Sequence, residues 1–211
     1  MLRSYLILIL LFICCNAFPQ PKVKYDKDFE FKEGIYLIYE QFKHNDPIPK
    51  SKIISKFDKN ELGFLSKLLL LKKIEFIDSA GNKEAVLTSS IWGYSNNNIV
   101  YINIQGEFNR IPIIGNICHF TAVVTVYDNH YYDPYSFNQG GYASNEFRQY
   151  ILDVRTGNIL DYTISDLESL LIRDQQLYDE FTALKKRKKK DSMFIYLRKY
   201  NEKHPAYFGK G

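Results

Sequence analysis

The sequence predicts an α+β domain in which a mainly antiparallel β-meander is covered by C-terminal helices. Apolar residues alternate along Ile99–Ile104 and Ile117–Val126, and turn-forming clusters separate these two segments from shorter apolar ones. Leucines and aromatic residues follow Ser165 with helical spacing. Strands in the middle of the chain and helices gathered at one end are typical of an α+β architecture. The residues predicted to lie in the core are Trp92, Tyr101, Ile102, Phe120, Val124, Leu152 and Leu170.

Length and composition allow a hydrophobic core to form without metals or disulfides. The chain has 211 residues, of which 45% are hydrophobic and 16% aromatic, and a chain of this size can bury such a core in one domain. Its 28 Lys and Arg residues exceed its 24 Asp and Glu residues only slightly. Because the net charge is mild, we expect no nucleic-acid partner.

Residues 1–17 are predicted to be a signal peptide. Arg3 supplies the positive charge, Leu6–Ile13 is a short apolar stretch, and small residues precede a cleavage position near Ala17. The apolar stretch is shorter than the roughly 20 residues that span a membrane. We therefore expect an exported protein, periplasmic, on the outer surface or secreted, with no transmembrane span in the mature chain.

Cleavage near Ala17 would leave Cys118 as the single cysteine, so no intramolecular disulfide is expected. Lipidation of Cys14 or Cys15 is the alternative, but neither cysteine follows the small residue expected there. Residues 18–32 are polar and irregular and are predicted to be a mobile lead. A single globular domain is predicted over residues 33–208.

The middle of the chain is predicted to form hairpins. A strand over Gly34–Tyr39 and a turn of helix over Glu40–Lys43 come first, and Pro47 and Pro49 prevent the helix from continuing. Glu61–Leu71 fits either a short helix or an extended segment. The further predicted strands are Ile74–Ile77, Ala85–Leu87, Ile91–Tyr94, Ile99–Ile104, Arg110–Ile114, Ile117–Val126, Tyr150–Val154 and Ile159–Tyr162.

The C-terminal third is predicted to be helical. Ser165 and Glu168 have the spacing of a capping box. A break is expected near Arg173–Asp174, because Asp is a good N-cap. A second helix is expected to begin near Asp191–Ser192 and to end before Pro205.

Tyr127–Asn145 lacks periodicity and is predicted to be a long loop. Tyrosine offers a large contact area at low entropic cost, and asparagine offers adaptable hydrogen bonds, so this composition favours recognition of a protein or glycan. The alternative is a solvated loop, or one that covers the sheet. The candidate ligand-binding residues are Tyr131, Tyr132, Tyr135, Phe137, Asn138 and Tyr142.

Asp128, His130 and Asp133 are a candidate metal site in the same segment. Imidazole nitrogen and carboxylate oxygen suit a divalent ion, although acidic residues next to Asn and Pro are also ordinary turn chemistry. This cluster supports an alternative hypothesis, an exported hydrolase or metal-dependent enzyme.

Cys118 and His119 are adjacent, but they are not expected to act as a catalytic pair. Neighbouring side chains in a strand point to opposite faces, whereas a thiolate needs its base within hydrogen-bonding reach. We therefore predict that Cys118 is a small buried hydrophobic residue.

A run of six cations is predicted to stand at the end of the first C-terminal helix, where positive charge is favourable with the helix dipole. A weak contact with an anionic surface is one hypothesis for this run, and a solvated helix end is the other. The run consists of Lys185, Lys186, Arg187, Lys188, Lys189 and Lys190.

The succession of Glu33–Leu37, Tyr39–Phe42, Ile91–Tyr94 and Val100–Ile102 resembles a family of secreted proteins of unknown function from Bacteroidetes bacteria. The resemblance covers most of the mature chain. It implies an exported protein of a Gram-negative bacterium, and it carries over no activity and no functional residue.

The leading hypothesis is an exported, non-enzymatic envelope or extracellular protein that binds a protein or glycan partner. The sequence contains no P-loop, no Gly-x-Ser-x-Gly, no His-Glu-x-x-His and no Cys-x-x-Cys motif. No cofactor and no catalytic residue is therefore predicted. A structural envelope protein is a further alternative.

Overall fold

The computed structural model describes residues 21–128 and 142–210, and the predicted signal peptide lies outside them. The helices are α1 (Tyr39–His44), α2 (Phe64–Leu68), α3 (Ile164–Leu171), α4 (Gln175–Thr182) and α5 (Lys186–Lys203). The strands are β1 (Lys22–Lys24), β2 (Gly34–Tyr36), β3 (Ile48–Pro49), β4 (Ile53–Ile54), β5 (Lys73–Ile77), β6 (Lys83–Leu87), β7 (Gly93–Asn96), β8 (Ile99–Ile104), β9 (Glu107–Arg110), β10 (Ile117–Asp128), β11 (Tyr142–Asp153), β12 (Ile159–Asp161) and β13 (Tyr207–Gly209).

The strands form antiparallel sheets, which confirms the α+β prediction. The largest has the order β3-β2-β7-β8-β9, and a second has the order β10-β11-β12. A third sheet, β4-β5-β6, and the pair β1-β13 complete the set in the described residues. Most neighbours follow one another in the chain, as a meander requires.

The main core lies between the large sheet and one face of β10. Cys118, Phe120, Ala122 and Val124 alternate along β10 with exposed fractions of 3% or less, and they pack with aromatic rings from outside the sheet. Full burial of a side chain such as Phe120 contributes roughly 1.5–3 kcal/mol. The alternation read from the sequence therefore marks the core face correctly.

The C-terminal helices cover the other face of β10 and β11, but only near Ile117 and Ile151. These two isoleucines are fully buried against residues of α3, α4 and α5, among them Leu171, Phe181 and Leu197. The base of the β10–β11 hairpin is thus buried on both faces. Within the described residues, no helix is both long and apolar enough to cross a membrane.

The helix caps agree with the sequence in part. Thr163 caps α3: its Oγ1 accepts the Asp166 N–H at 3.1 Å and donates to Asp166 Oδ2 at 2.5 Å. The capping box predicted at Ser165 and Glu168 is therefore wrong by two positions, because Thr163 already has the extended backbone of an N-cap. The predicted break at Asp174 is confirmed, since its carboxylate caps α4.

The basic run stands at the start of a helix and not at its end. α5 begins at Lys186, ahead of the predicted start at Asp191–Ser192, and Lys185 is its N-cap residue. The sequence prediction followed the apolar stripe, which begins only at Met193. The positive charges accordingly lie at the unfavourable end of the helix dipole.

The packed part of the chain begins earlier than residue 33. β1 pairs with β13, and Phe29 and Phe31 are buried beside Phe208. These two phenylalanines are separated by Glu30 and flanked on both sides by charged residues, so the stretch looks polar in sequence. The strand predicted over Arg110–Ile114 is also corrected: β9 ends at Arg110, and Pro112 has no N–H with which to continue the ladder.

Candidate binding site

The long β10–β11 hairpin is the main feature outside the packed core. Its register is one-to-one from Ile117↔Asp153 to Asp128↔Tyr142. β11 therefore begins at Tyr142, well before the Tyr150 start that the sequence predicted, and β10 continues past Val126. Both ends of the loop predicted over Tyr127–Asn145 are strand.

In the outer half of the hairpin, the core-facing side of β10 packs on the core, whereas the same side of β11 does not. Ala122 and Val124 are buried there, whereas their partners on β11, Arg148 and Glu146, are exposed. Arg148 donates from Nε and Nη2 to Glu146 Oε2 at 3.1 and 3.0 Å. Residues 143–149 are exposed on both faces of β11.

The opposite face carries apolar and polar side chains that are open to solvent. Phe147 lies directly opposite Val123, and their exposed fractions are 82% and 38%. Tyr127, further along the same face, is 70% exposed. Thr125 and Asn145 lie between them, and Thr125 Oγ1 donates to Asn145 Oδ1 at 3.2 Å. We call Val123, Thr125, Tyr127, Asn145 and Phe147 the outer hairpin face.

A shallow groove joins the outer hairpin face to the start of α5. Phe147 and Gln149 line it from β11, Tyr162 lines it from the end of β12, and Lys190 and Met193 line it from α5. The groove therefore offers aromatic and aliphatic surface with a cation at its rim. Concave sites of this mixed character are where ligands bind preferentially.

His119 supports the inner end of this groove. The centre of its ring lies 4.6 Å from the ring centre of Tyr162 and 5.7 Å from that of Phe194, and both contacts are edge-on. Its Nε2 lies 2.9 Å from Gln149 Oε1. Burial lowers the pKa of His119 below its ordinary value, although the contact with Gln149 opposes this effect. His119 is thus a neutral, positioned side chain at neutral pH.

Most of the basic run is free of partners in the described residues, with Lys189 the exception. Lys189 Nζ donates to Glu168 Oε1 at 2.7 Å and lies 5.9 Å from the centre of the Phe181 ring. Lys185, Lys186, Arg187, Lys188 and Lys190 are exposed. Lys189 is therefore a structural residue, and the other five form a solvent-facing positive surface.

Several predicted site residues fall where the structure gives no description. Tyr131, Tyr132, Tyr135, Phe137 and Asn138 lie outside the described residues, as do His130 and Asp133. Asp128 and Tyr142 form the last backbone pair of the β10–β11 ladder, at the end away from Ile117 and Asp153. In the described ranges 21–128 and 142–210, no group of three His, Cys, Asp or Glu residues is arranged to hold a metal ion.

The interpretation of Cys118 and His119 is confirmed. Cys118 is fully buried on the core face, and its thiol lies 3.5 Å from the Gly115 carbonyl oxygen. Burial raises the pKa of Cys118 to about 12. His119 lies on the other face, so the two side chains cannot exchange a proton directly.

Sequence reasoning missed Phe147 and Val123 as candidate site residues. A strand that is solvated on both faces has no hydrophobic period, so Ala143–Asn145 resembled a loop and residues 146–149 were assigned to no element. The available signal was the length of the predicted strand Ile117–Val126, because its backbone groups need a longer partner than the predicted strand Tyr150–Val154.

Comparisons with protein-family models, with curated proteins and with solved structures give no match to this chain. What the groove and the outer hairpin face bind is therefore inferred from their geometry and charge.

Proposed function

We propose that this chain is an exported, non-enzymatic protein of the envelope or extracellular space, and that its outer hairpin face binds a protein or glycan partner. One observation carries the proposal: Phe147 and Tyr127 are 82% and 70% exposed on one face of two paired strands. Large aromatic side chains lose contact with water when a partner covers them, and such residues dominate binding energies at interfaces.

The position of these side chains on paired strands also supports binding. The β10–β11 ladder fixes the backbone beneath Val123 and Phe147, so little ordering is required when a partner arrives. The base of the hairpin is buried on both faces, which holds the exposed half in place. Preorganised surfaces of this kind bind more tightly than mobile ones of equal area.

The test is a double variant, Phe147→Ser with Tyr127→Ser. Immobilised parent chain is used to recover partners from envelope extracts and from a glycan array, and each partner's affinity is then measured. We expect the double variant to bind at least about thirtyfold more weakly, because exposed aromatic anchors are worth roughly 2 kcal/mol or more.

The matched control is Leu62→Ser with Leu70→Ser. Both leucines are 86% exposed and belong to another part of the surface. This control also removes two highly exposed apolar side chains and should keep every partner. Equal affinity of the parent and the Phe147 and Tyr127 double variant for all recovered partners would overturn the proposed function.

A further inference from the structure

The outer half of β11 is a strand with one unpaired edge. β10 pairs with β11 along its whole length, whereas β12 pairs only with Tyr150–Leu152. Among the residues that the structure describes, no strand lies beside residues 142–148 on the side away from β10. Within the described part of the chain, the backbone groups on that side are therefore open to a further strand.

The hydrogen bonds identify which groups face this edge. The Gln149 carbonyl oxygen accepts the Tyr162 N–H at 2.9 Å, so the backbone of Gln149 points away from β10. Because this direction alternates along a strand, the N–H and C=O of Asn145 and Phe147 point the same way. The partner of Asn145 on β10, Thr125, supports this assignment, because its N–H points away from β11 and donates to Gln105 Oε1 at 2.9 Å.

This edge lacks proline and bulges, two of the usual protections against pairing. Proteins also block edge strands with charged side chains, and the two charged residues here, Glu146 and Arg148, are paired with each other. The register of β10 and β11 is one-to-one over the paired residues, so these residues contain no bulge, and residues 142–149 contain no proline. Main-chain hydrogen bonds of an added strand can form along such an edge.

Side chains beside the edge suit an extended segment. Phe147 and Val123 are an apolar cross-strand pair on one face, and Phe147 also lines the groove together with Tyr162 and Met193. Alternate side chains of an added strand would rest on this face, two residues apart. Strand addition uses this division, with backbone pairing for affinity and side-chain contacts for specificity.

The charge around the groove favours an acidic partner. Lys190 lines the groove, and Lys186 and Arg187 lie on the same side of α5, because residues three and four apart share a helix face. Asp161 is the acidic residue in the groove lining, and Glu146 is already paired with Arg148. A second copy of this chain would bring like charges together, so an acidic segment of another protein fits better.

We propose that the open edge of β11 binds an extended acidic segment of a partner protein by strand addition. This inference rests on the proposed binding function and names the class of its partner. Acidic side chains of the added strand lie against Lys186, Arg187 and Lys190, while its backbone pairs with Asn145 and Phe147.

The experiment measures binding of a labelled synthetic peptide of alternating valine and glutamate by fluorescence anisotropy with the full chain. Asn145→Pro removes the edge N–H without removing a bond to β10, so the hairpin ladder stays intact. We expect about tenfold weaker binding, because a backbone hydrogen bond is lost and the proline ring obstructs pairing.

The comparison variant is Asn145→Ala, which loses the same side chain but keeps the N–H, so it should bind more tightly than Asn145→Pro. Ala143→Pro, with Ala143→Ser as its control, repeats the comparison at the next edge position in case Asn145→Pro fails to fold. Changing Lys186, Arg187 and Lys190 together to Gln should weaken binding several-fold and reduce its dependence on salt.

Equal peptide binding by the proline and alanine variants would overturn the inference, as would equal binding of a valine-lysine peptide. If the parent chain forms a dimer and Asn145→Pro dissociates it, the edge is occupied by a second copy of this chain, and the inference is overturned. Peptide binding that depends on the three cations but not on Asn145→Pro, together with binding to anionic vesicles, would reduce the site to a charged surface. If the Phe147 and Tyr127 variant loses partners while Asn145→Pro keeps them, the proposed function stands and strand addition falls.

Discussion

Asp153 is a buried charged residue whose carboxylate accepts several hydrogen bonds. It is 2% exposed and accepts two bonds from Arg173, at 2.8 and 2.6 Å, and one from Thr156 Oγ1 at 2.7 Å. Burial alone would raise the pKa of Asp153, but the bonds from Arg173, Thr156 and the backbone outweigh it and lower the pKa. The pair ties the end of β11 to the end of α3.

Arg173→Ala should therefore destabilise the protein in a pH-dependent way. At pH 7 we expect a loss of roughly 3 kcal/mol in the free energy of unfolding, because a buried carboxylate is left without its counter-charge. A carboxyl group whose pKa is lowered by folding stabilises the folded state at pH values above its pKa in the unfolded chain, about 3.9. This stabilisation is lost as the pH falls through the pKa of the group in the folded protein. The difference between parent and variant should thus narrow below about pH 4.

Urea unfolding at a series of pH values measures this difference. Lys83→Ala serves as the control, because the ion pair of Lys83 with Glu75 is exposed, and it should leave the stability nearly unchanged at every pH. A loss on Arg173→Ala that is the same at pH 7 and pH 3 would contradict the role given to Asp153.

At the scale of elements, α5 begins with a sequence that opposes helix formation. Lys185 occupies the N-cap position without a side-chain hydrogen bond, and the first turn contains no acidic residue. Both features are unfavourable, because N-terminal N–H groups need acceptors and the helix dipole repels cations there. Packing of Met193, Tyr196 and Leu197 against the other helices keeps α5 folded.

Lys185→Asp should stabilise the protein by about 1 kcal/mol. The backbone of Lys185 already has the extended geometry of an N-cap, so an Asp side chain can accept an N–H of the first turn. Thermal unfolding measures the gain. Lys185→Asn separates the effect of the hydrogen bond from that of the charge, since Asn supplies the hydrogen bond without the charge. If neither variant raises the stability, the missing cap does not limit the stability of the first turn of α5.

At the scale of the whole molecule, the two ends of the described chain close the main core. β13 pairs with β1 next to α1, and Phe208 is fully buried among aromatic rings. Its ring centre lies 5.1 Å from that of Phe31 and 5.2 Å from that of Phe42. Residues far apart in sequence therefore share one aromatic cluster.

Phe208→Ala should cost roughly 3–5 kcal/mol, because the substitution leaves a cavity in this cluster. Tyr207→Ala, one position earlier in β13, is the control: Tyr207 is 46% exposed, and the expected loss is well under that of Phe208→Ala. Both are measured by urea unfolding. A loss below about 1 kcal/mol for Phe208→Ala would mean that the last strand is not part of the cooperative core.

The sequence by itself determined the elements whose side chains alternate or repeat. Phe120, Val124, Ile102, Leu152 and Leu170 were predicted to be core residues, and all are buried. Trp92 and Tyr101 were predicted with them and are only partly buried. The hairpin of β5 and β6, the end of α5 before Pro205 and the cap at Asp174 also follow from local patterns.

Tertiary structure decided the features that have no local pattern. Residues 143–149 of β11 are solvated on both faces, so only their pairing with β10 makes them part of a strand, and the open edge exists because β12 stops at the base of β11. The first five residues of α5 are all cations and take their helical form from the packed turns that follow. Periodicity records burial on one face, and these segments gain their structure from neighbours that the sequence alone does not place.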